Sequence, residues 1–235
     1  MPRVVVLGCG TAVGKTRVSV ALLRELERRG LASLGLKPIE SGMDLGARSG
    51  ARPSPGSDAH ALATAGSVQL DLEHPLYAFA APISPHLAAR KSGVAIDLQR
   101  VASWVDDAER AATRLVSSHS AGWTLVETAG GVFSPLAPGM SNFELAIALE
   151  PALWVLVAAD ALGVLHDVSA TLQAMTARGR APDHLVLSAA REPDASTGTN
   201  AAELGALAIA EPSAVLVRND DRGIGALVDR LLAGE

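Results

Sequence analysis

Residues 8 to 16 read GCGTAVGKT, and these residue types at this spacing suit the binding of a phosphate chain. Glycine at Gly8, Gly10 and Gly14 lets the backbone curl so that its N–H groups and the start of a following helix face anionic oxygens. Lys15 adds a mobile positive charge, and the Thr16 hydroxyl suits a magnesium ion that bridges phosphates and keeps several of its waters. The spacing is G-x5-G-K-T, because Cys9 stands where the usual pattern has its first glycine. A plain glycine-rich turn would not account for a lysine at a helix start, where the dipole disfavours a cation unless an anion is bound. The nucleotide-binding set is therefore Gly10, Thr11, Ala12 and Val13, then Gly14, Lys15, Thr16 and Arg17.

Further along the chain three more segments carry chemistry-bearing groups at the ends of apolar runs. Lys37 and Ser41 lie in KPIESG, just past the run Leu31 to Leu36. Glu127 closes the run WTLVE and precedes Gly130-Gly131. In open α/β sheets ligands bind beyond the carboxyl ends of strands, so both segments fall where a site belongs. Asp58 follows Ser57 at a helix start, where a first-turn carboxylate can simply favour the dipole. His86 after Ser84-Pro85 either lines the same pocket or stays at the surface, and Ser84 with Pro85 reads as a helix cap. Cys9 reads as a small packing residue, and the six histidines show no zinc-ligand spacing.

The elements that must hold these groups follow from hydrophobic period. Val4 to Leu7 form an apolar strand that feeds the loop, and Val18, Leu22 and Leu26 recur every four residues in a helix ending near Arg29-Gly30. Strand, helix, strand in this order demands a parallel sheet and a right-handed crossover. Residues 43 to 57 are rich in Gly, Ser, Pro and Arg and read as a surface loop, with a helix from about Ser57. A long helix from Asp97 to about Ser118 precedes WTLVE; Asn142 to Leu149 and Leu165 to Arg178 are helical; ALWVLVAAD, HLVLSA and SAVLV are strands; a final helix spans Gly225 to Ala233. The expected architecture is α/β: a single doubly wound domain over residues 1–235, P-loop NTPase-like, with about six or seven mainly parallel strands flanked by helices.

Composition narrows the partners. A net charge of −5 with no basic stripe argues against nucleic acid and against electrostatic docking on a membrane. One cysteine excludes an intrachain disulfide, and no apolar stretch approaches the ~20 residues of a transmembrane helix. The N-terminus runs straight into the first strand, which leaves no room for a cleavable leader, so a cytoplasmic location is expected.

The loop ending TAVGKT, then KPIESG, SDAHAL, SPHLAAR and VETAGGVFSPL, together resemble dethiobiotin synthetase, the ATP-dependent ligase of biotin synthesis, over most of the chain. The resemblance implies carboxylation of 7,8-diaminopelargonate by CO2 and closure of a cyclic urea, with ATP cleaved to ADP and phosphate. It makes Lys15, Lys37 and Thr11 the catalytic groups. Thr16, Asp58 and Glu127 would hold Mg2+ directly or through water; Thr11, Lys15, Lys37, Ser41, Gly130 and Gly131 would bind the diamine or its carbamate. A homodimer with the diamine site near the subunit interface is also implied.

The chain departs from that family at Gly10 and Ala12, where acidic residues are common, at Thr128, where a glycine is usual, and at Ala161, often a lysine. Ser188-Ala189 replaces an Asn-Asp pair that reads the base, so Ser188 enters the nucleotide set with adenine recognition weakened. A partitioning ATPase would carry a lysine at Gly10, and a GTPase an N-K-x-D motif that none of Asn142, Asn200 or Asn219 begins. The remaining alternatives are a related synthetase acting on a different amine or carboxylate, and a degenerate nucleotide-binding module, which would have no need of two lysines and two metal carboxylates together.

Overall fold

The computed structural model describes residues 1–45, 54–72, 75–116 and 122–233. The chain runs β1 (Arg3–Gly8), α1 (Lys15–Arg28), β2 (Ala32–Leu36), β3 (Ile39–Ser41), α2 (Asp58–Ala65), β4 (Tyr77–Phe79), α3 (Pro85–Lys91) and α4 (Leu98–Leu115). It continues through β5 (Gly122–Glu127), β6 (Pro135–Ala137), β7 (Met140–Ser141), α5 (Asn142–Ala148), β8 (Leu153–Asp160), α6 (Val164–Ala177), β9 (His184–Ala189), α7 (Asn200–Ala206), β10 (Ala214–Leu216) and α8 (Gly223–Ala233). The expected end of α4 near Ser118 and the middle of the expected loop, residues 46–53, lie outside the described residues.

Six strands form one sheet in the order β10-β9-β8-β1-β5-β2, and every pairing in it is parallel. The side-chain period of two in β1 divides the core. Val4 and Val6 join Val18, Leu22 and Leu26 of α1 and Leu227 of α8 on one face. Val5 and Leu7 join α4 through Val101 and Val105 and α6 through Val168 on the other. Each face is buried, which is why the central strands read as unbroken apolar runs. Strand β1 lies in the interior of the sheet, and the chain after it leaves toward β5 and β2 on one side and β8 to β10 on the other. Its carboxyl end is therefore the switch point where a ligand crevice opens.

Two short ribbons escape the sequence reading. β3 pairs in parallel with β4, Ile39 opposite Tyr77 and Ser41 opposite Phe79, and β6 pairs antiparallel with β7. Three-residue strands carry too little periodicity to be read alone. Among the described residues no helix is long and apolar enough to cross a membrane.

Candidate active site

The loop after β1 holds its shape through two sterically enforced glycines. A Cβ on Gly8 would stand 2.8 Å from the Gly10 carbonyl oxygen and 2.9 Å from Val13 Cγ2. Gly14, at φ +92°, precedes α1 in a left-handed conformation, and a Cβ there would collide with the Ser188 side chain. Gly10 has no such constraint, its nearest neighbour for a Cβ being Val13 Cγ1 at 3.7 Å. Ala12 is also left-handed, at φ +59°, a conformation that costs a non-glycine residue about 1 kcal/mol or more.

The loop opens onto a cleft of about 570 Å³. The loop and helix start line it with Thr11, Ala12, Gly14, Lys15, Thr16 and Arg17, and the neighbouring segments with Lys37, Glu40, Ser41, Asp58, Glu127, Ala129, Gly130, Ser188, Ala189 and Arg191. The expected site residues are thus largely brought together. Gly10 and Val13 are not among the lining residues, and the Gly10 carbonyl accepts a 3.4 Å bond from Lys15 Nζ. Arg17 reaches away to the Val217 carbonyl at 2.5 Å and Asp221 at 2.7 Å. The Gly131 N–H donates to Ser134 Oγ at 2.9 Å, so it serves the turn, and Gly130 is the glycine of the pair that faces the cleft. His86 is not among the lining residues; its Nδ1 shares a 2.8 Å hydrogen bond with Ser84 Oγ, which does not cap α3.

Strand register explains the charged centre. Leu36 lies opposite Val126, so the next residues on the two parallel strands, Lys37 and Glu127, emerge side by side. Lys37 Nζ is 2.7 Å from Glu127 Oε1 and also binds Asp58 Oδ2. Thr16 Oγ1 donates to the same Glu127 Oε1 at 2.9 Å. Burial works against the Lys37 charge, but the attraction of Glu127 and Asp58 outweighs it and holds the ammonium well above its ordinary value. Burial likewise opposes the Asp58 charge, and Lys37 with the Thr16 hydroxyl overcomes it, lowering that carboxyl. Lys15 has no such partner at close range, and burial pulls it down to about 8 despite the field of Glu127.

Thr16, Asp58 and Glu127 form a donor set that fits a magnesium ion. Glu127 is fully buried, and its Oε2 has no hydrogen-bond partner, an arrangement that is costly unless a cation or donor is to arrive. Among the described residues no cluster of three His, Cys, Asp or Glu has metal-holding geometry. The remaining ligands of such an ion belong to phosphate and water, as magnesium favours.

Other residues behave as their surroundings dictate. Ser57, not Asp58, caps α2, accepting from the His60 N–H at 3.1 Å; the Asp58 side chain is free to turn to Lys37. Cys9 is a packing residue, its thiol pushed up to about 11 by burial. Thr128 donates its hydroxyl to the Val6 carbonyl at 3.0 Å, tying the end of β5 to β1. Ser188 is fully buried with its hydroxyl unpartnered. Two supports went unseen in the sequence. Asn142 Nδ2 donates to the Ala129 and Gly131 carbonyls at 2.7 and 2.9 Å, locking the glycine turn. Glu40 binds the start of α2; the signal available was a carboxylate inside the KPIESG run.

A family model described as an AAA domain matches residues 2–217. ATP-dependent dethiobiotin synthetase BioD of Anaeromyxobacter sp. (strain K) is 38% identical over 214 residues, 90% of this chain and 87% of that protein. The protein of the same name from Caulobacter sp. (strain K31) is 34% identical over 99% of this chain and 95% of its own length. The chain belongs to the dethiobiotin synthetase family. Solved structures with the same fold include the Pyrococcus furiosus cell division ATPase MinD, TM-score 0.54 at 15% identity, covering 99% of each chain. The ParA family ATPase from Chlorobium tepidum TLS gives TM-score 0.53 at 12% identity, over 99% of this chain and 88% of that one. At such identities these two likenesses speak to the fold alone.

Proposed function

We propose that the protein is an ATP-dependent dethiobiotin synthetase acting on 7,8-diaminopelargonate and CO2, through one catalytic domain. The observation that carries this is the convergence of Lys15, Lys37, Asp58 and Glu127 on one cleft in a chain that matches synthetases along nearly its whole length.

One amine adds to CO2 and loses a proton to give a carbamate. A carbamate oxygen then attacks the γ-phosphorus of ATP, and the bond to the β-phosphate oxygen breaks to release ADP. The second amine attacks the carbonyl carbon of the resulting mixed anhydride, the C–O bond to phosphate breaks, and the amine proton leaves with the departing phosphate as the urea closes. Little covalent work falls to the protein, whose task is positioning and neutralising charge. Lys15 would hold the phosphates and the carbamate, and Lys37 would turn from the carboxylates to the transferred phosphoryl group as charge develops there. Thr11 and Ser41, with the Gly130 N–H, would orient the diamine and its carbamate. Thr16, Asp58 and Glu127 would hold magnesium, which when bound would supply neutralisation of the phosphate charge.

The base subsite is the loosest part of the assembly. The Ser188 hydroxyl is packed beneath Gly14, so it offers adenine no hydrogen bond, and Ala189 has none to offer. As part of the same reading the protein works in the cytoplasm as a homodimer, with the diamine site near the subunit interface as the family resemblance implies. The deciding experiment is incubation with diaminopelargonate, bicarbonate, magnesium and each nucleoside triphosphate, with the cyclic urea sought by mass spectrometry; its absence with all four would end this reading.

A further inference from the structure

Glu40 has no part in the chemistry above, yet its carboxylate is placed with both oxygens engaged. It is the middle residue of β3 and only 8% exposed. Oε1 accepts the Asp58 N–H at 2.8 Å and Oε2 accepts the Ala59 N–H at 2.9 Å. An anion across the free N–H groups of a helix start is a favoured pairing. Capping alone does not call for it, because Ser57 already caps α2 with its side chain. What the two bonds add is a direct tie between chain segments that are 18 residues apart. One end of the tie carries Lys37 and Ser41; the other carries Asp58. The Asp58 side chain is 45% exposed, so its own packing holds it weakly.

We propose that Glu40 is a positioning residue for the metal carboxylate: by gripping the first turn of α2 it holds Asp58 facing Lys37 and Glu127, so that Asp58 meets the magnesium of the bound nucleotide. The proposal rests on the reading of Asp58 as a magnesium group. A carboxylate is required, since a glutamine has one acceptor oxygen and would set its NH2 against the second N–H. Partners of this kind, which orient a metal ligand without touching the ion, typically change metal affinity or activity by about 10–100-fold when removed.

The test uses the full chain and calorimetric binding of ADP with and without Mg2+, for Glu40→Ala, Glu40→Gln, Asp58→Asn and the Glu40→Gln/Asp58→Asn pair, with urea midpoints recorded for each. The expected result is that the tightening of ADP binding by Mg2+ falls about tenfold in both Glu40 variants. Metal-free ADP affinity should stay within about twofold of wild type, and the double variant should be no worse than Asp58→Asn, since Glu40 acts through that residue. Loss of stability with the Mg2+ effect intact would make Glu40 a structural tie and overturn the proposal, as would additive losses in the double variant. If Asp58→Asn itself leaves the Mg2+ effect unchanged, the metal reading has failed and the role of Glu40 falls with it; Glu40→Gln serves as the soluble variant should Glu40→Ala not fold.

Discussion

Lys37 and Glu127 meet at 2.7 Å because parallel register sets them on adjacent strands, one residue beyond the last paired positions, Leu36 and Val126. Both are buried. The lysine ammonium neutralises Glu127 and Asp58; under the proposed function it would be drawn from them to the transferred phosphoryl group. Breaking one partner of a buried pair costs about 3 kcal/mol or more, because the other charge is left without compensation. Lys37→Met should accordingly lose about 3 kcal/mol of stability in the absence of ligands and at least about a hundredfold in kcat. Urea unfolding and steady-state rates measure both, and a variant as stable as wild type would show that the pair is not coupled to folding.

Lys15→Ala should abolish turnover while leaving the fold intact. The loop's shape is set by Gly8 and Gly14, whereas the lysine acts on phosphate charge. Since the burial of Lys15 opposes its charge, the variant should melt no lower than wild type. Thermal melting and activity measured together decide this; normal turnover would remove the phosphate-loop argument.

Nucleotide binding should weaken in alkaline solution. The Lys15 pKa of about 8 lies below the ordinary lysine value of 10.5. Burying this ammonium therefore costs stability below pH 8, and the cost fades between 8 and 10.5, where the folded chain has shed the proton that the unfolded chain keeps. Phosphates favour the charged lysine, so affinity should fall by up to about tenfold per pH unit above 8, with a proton taken up on binding. Calorimetry at pH 8.5 in buffers of different ionisation enthalpy reads that proton directly, and buffer-independent heats would refute it.

Magnesium dependence should shift in Glu127→Gln and Asp58→Asn, each weakening magnesium-dependent activity. The larger effect is expected at Glu127, whose second oxygen stands buried without a partner. Titrating activity with Mg2+ at fixed nucleotide gives the half-saturating concentration; an unchanged value in both variants would place the ion elsewhere.

The triphosphates should be accepted with a weak base preference. Lys15, Lys37, Asp58 and Glu127 line the cleft and under the proposed function would anchor the triphosphate and magnesium, while Ser188 is fully buried and the Ala189 side chain carries no polar group. A net hydrogen bond is worth about 1 kcal/mol, so CTP or GTP should support turnover within about tenfold of ATP. Initial rates at subsaturating concentration are the measure, and a preference of about a hundredfold for ATP would assign base reading to other groups near the cleft, Arg191 foremost.

Local order determined what the sequence by itself could say. Apolar runs such as VVVL and LWVLVAAD are buried on both sheet faces, and the stripe Val18, Leu22, Leu26 has helical period, so strand, helix and parallel topology follow from period alone. The turn from strand to helix was equally legible, because Gly8, Gly14, Lys15 and Thr16 are neighbours along the chain. Only the tertiary structure could decide which distant groups share a charge. Lys37, Asp58 and Glu127 are brought together by strand register and by the packing of α2 on β2, and nothing in their spacing along the chain encodes that Lys37 would bridge both carboxylates. Glu40 was invisible for the same reason: its acceptors engage backbone N–H groups 18 and 19 residues away, and backbone donors have no residue type to read. Ser188 faces the underside of Gly14 because β9 enters the sheet at that register, with Ser188 opposite Ala159 of β8, and a one-residue slip would have turned the hydroxyl to the opposite face.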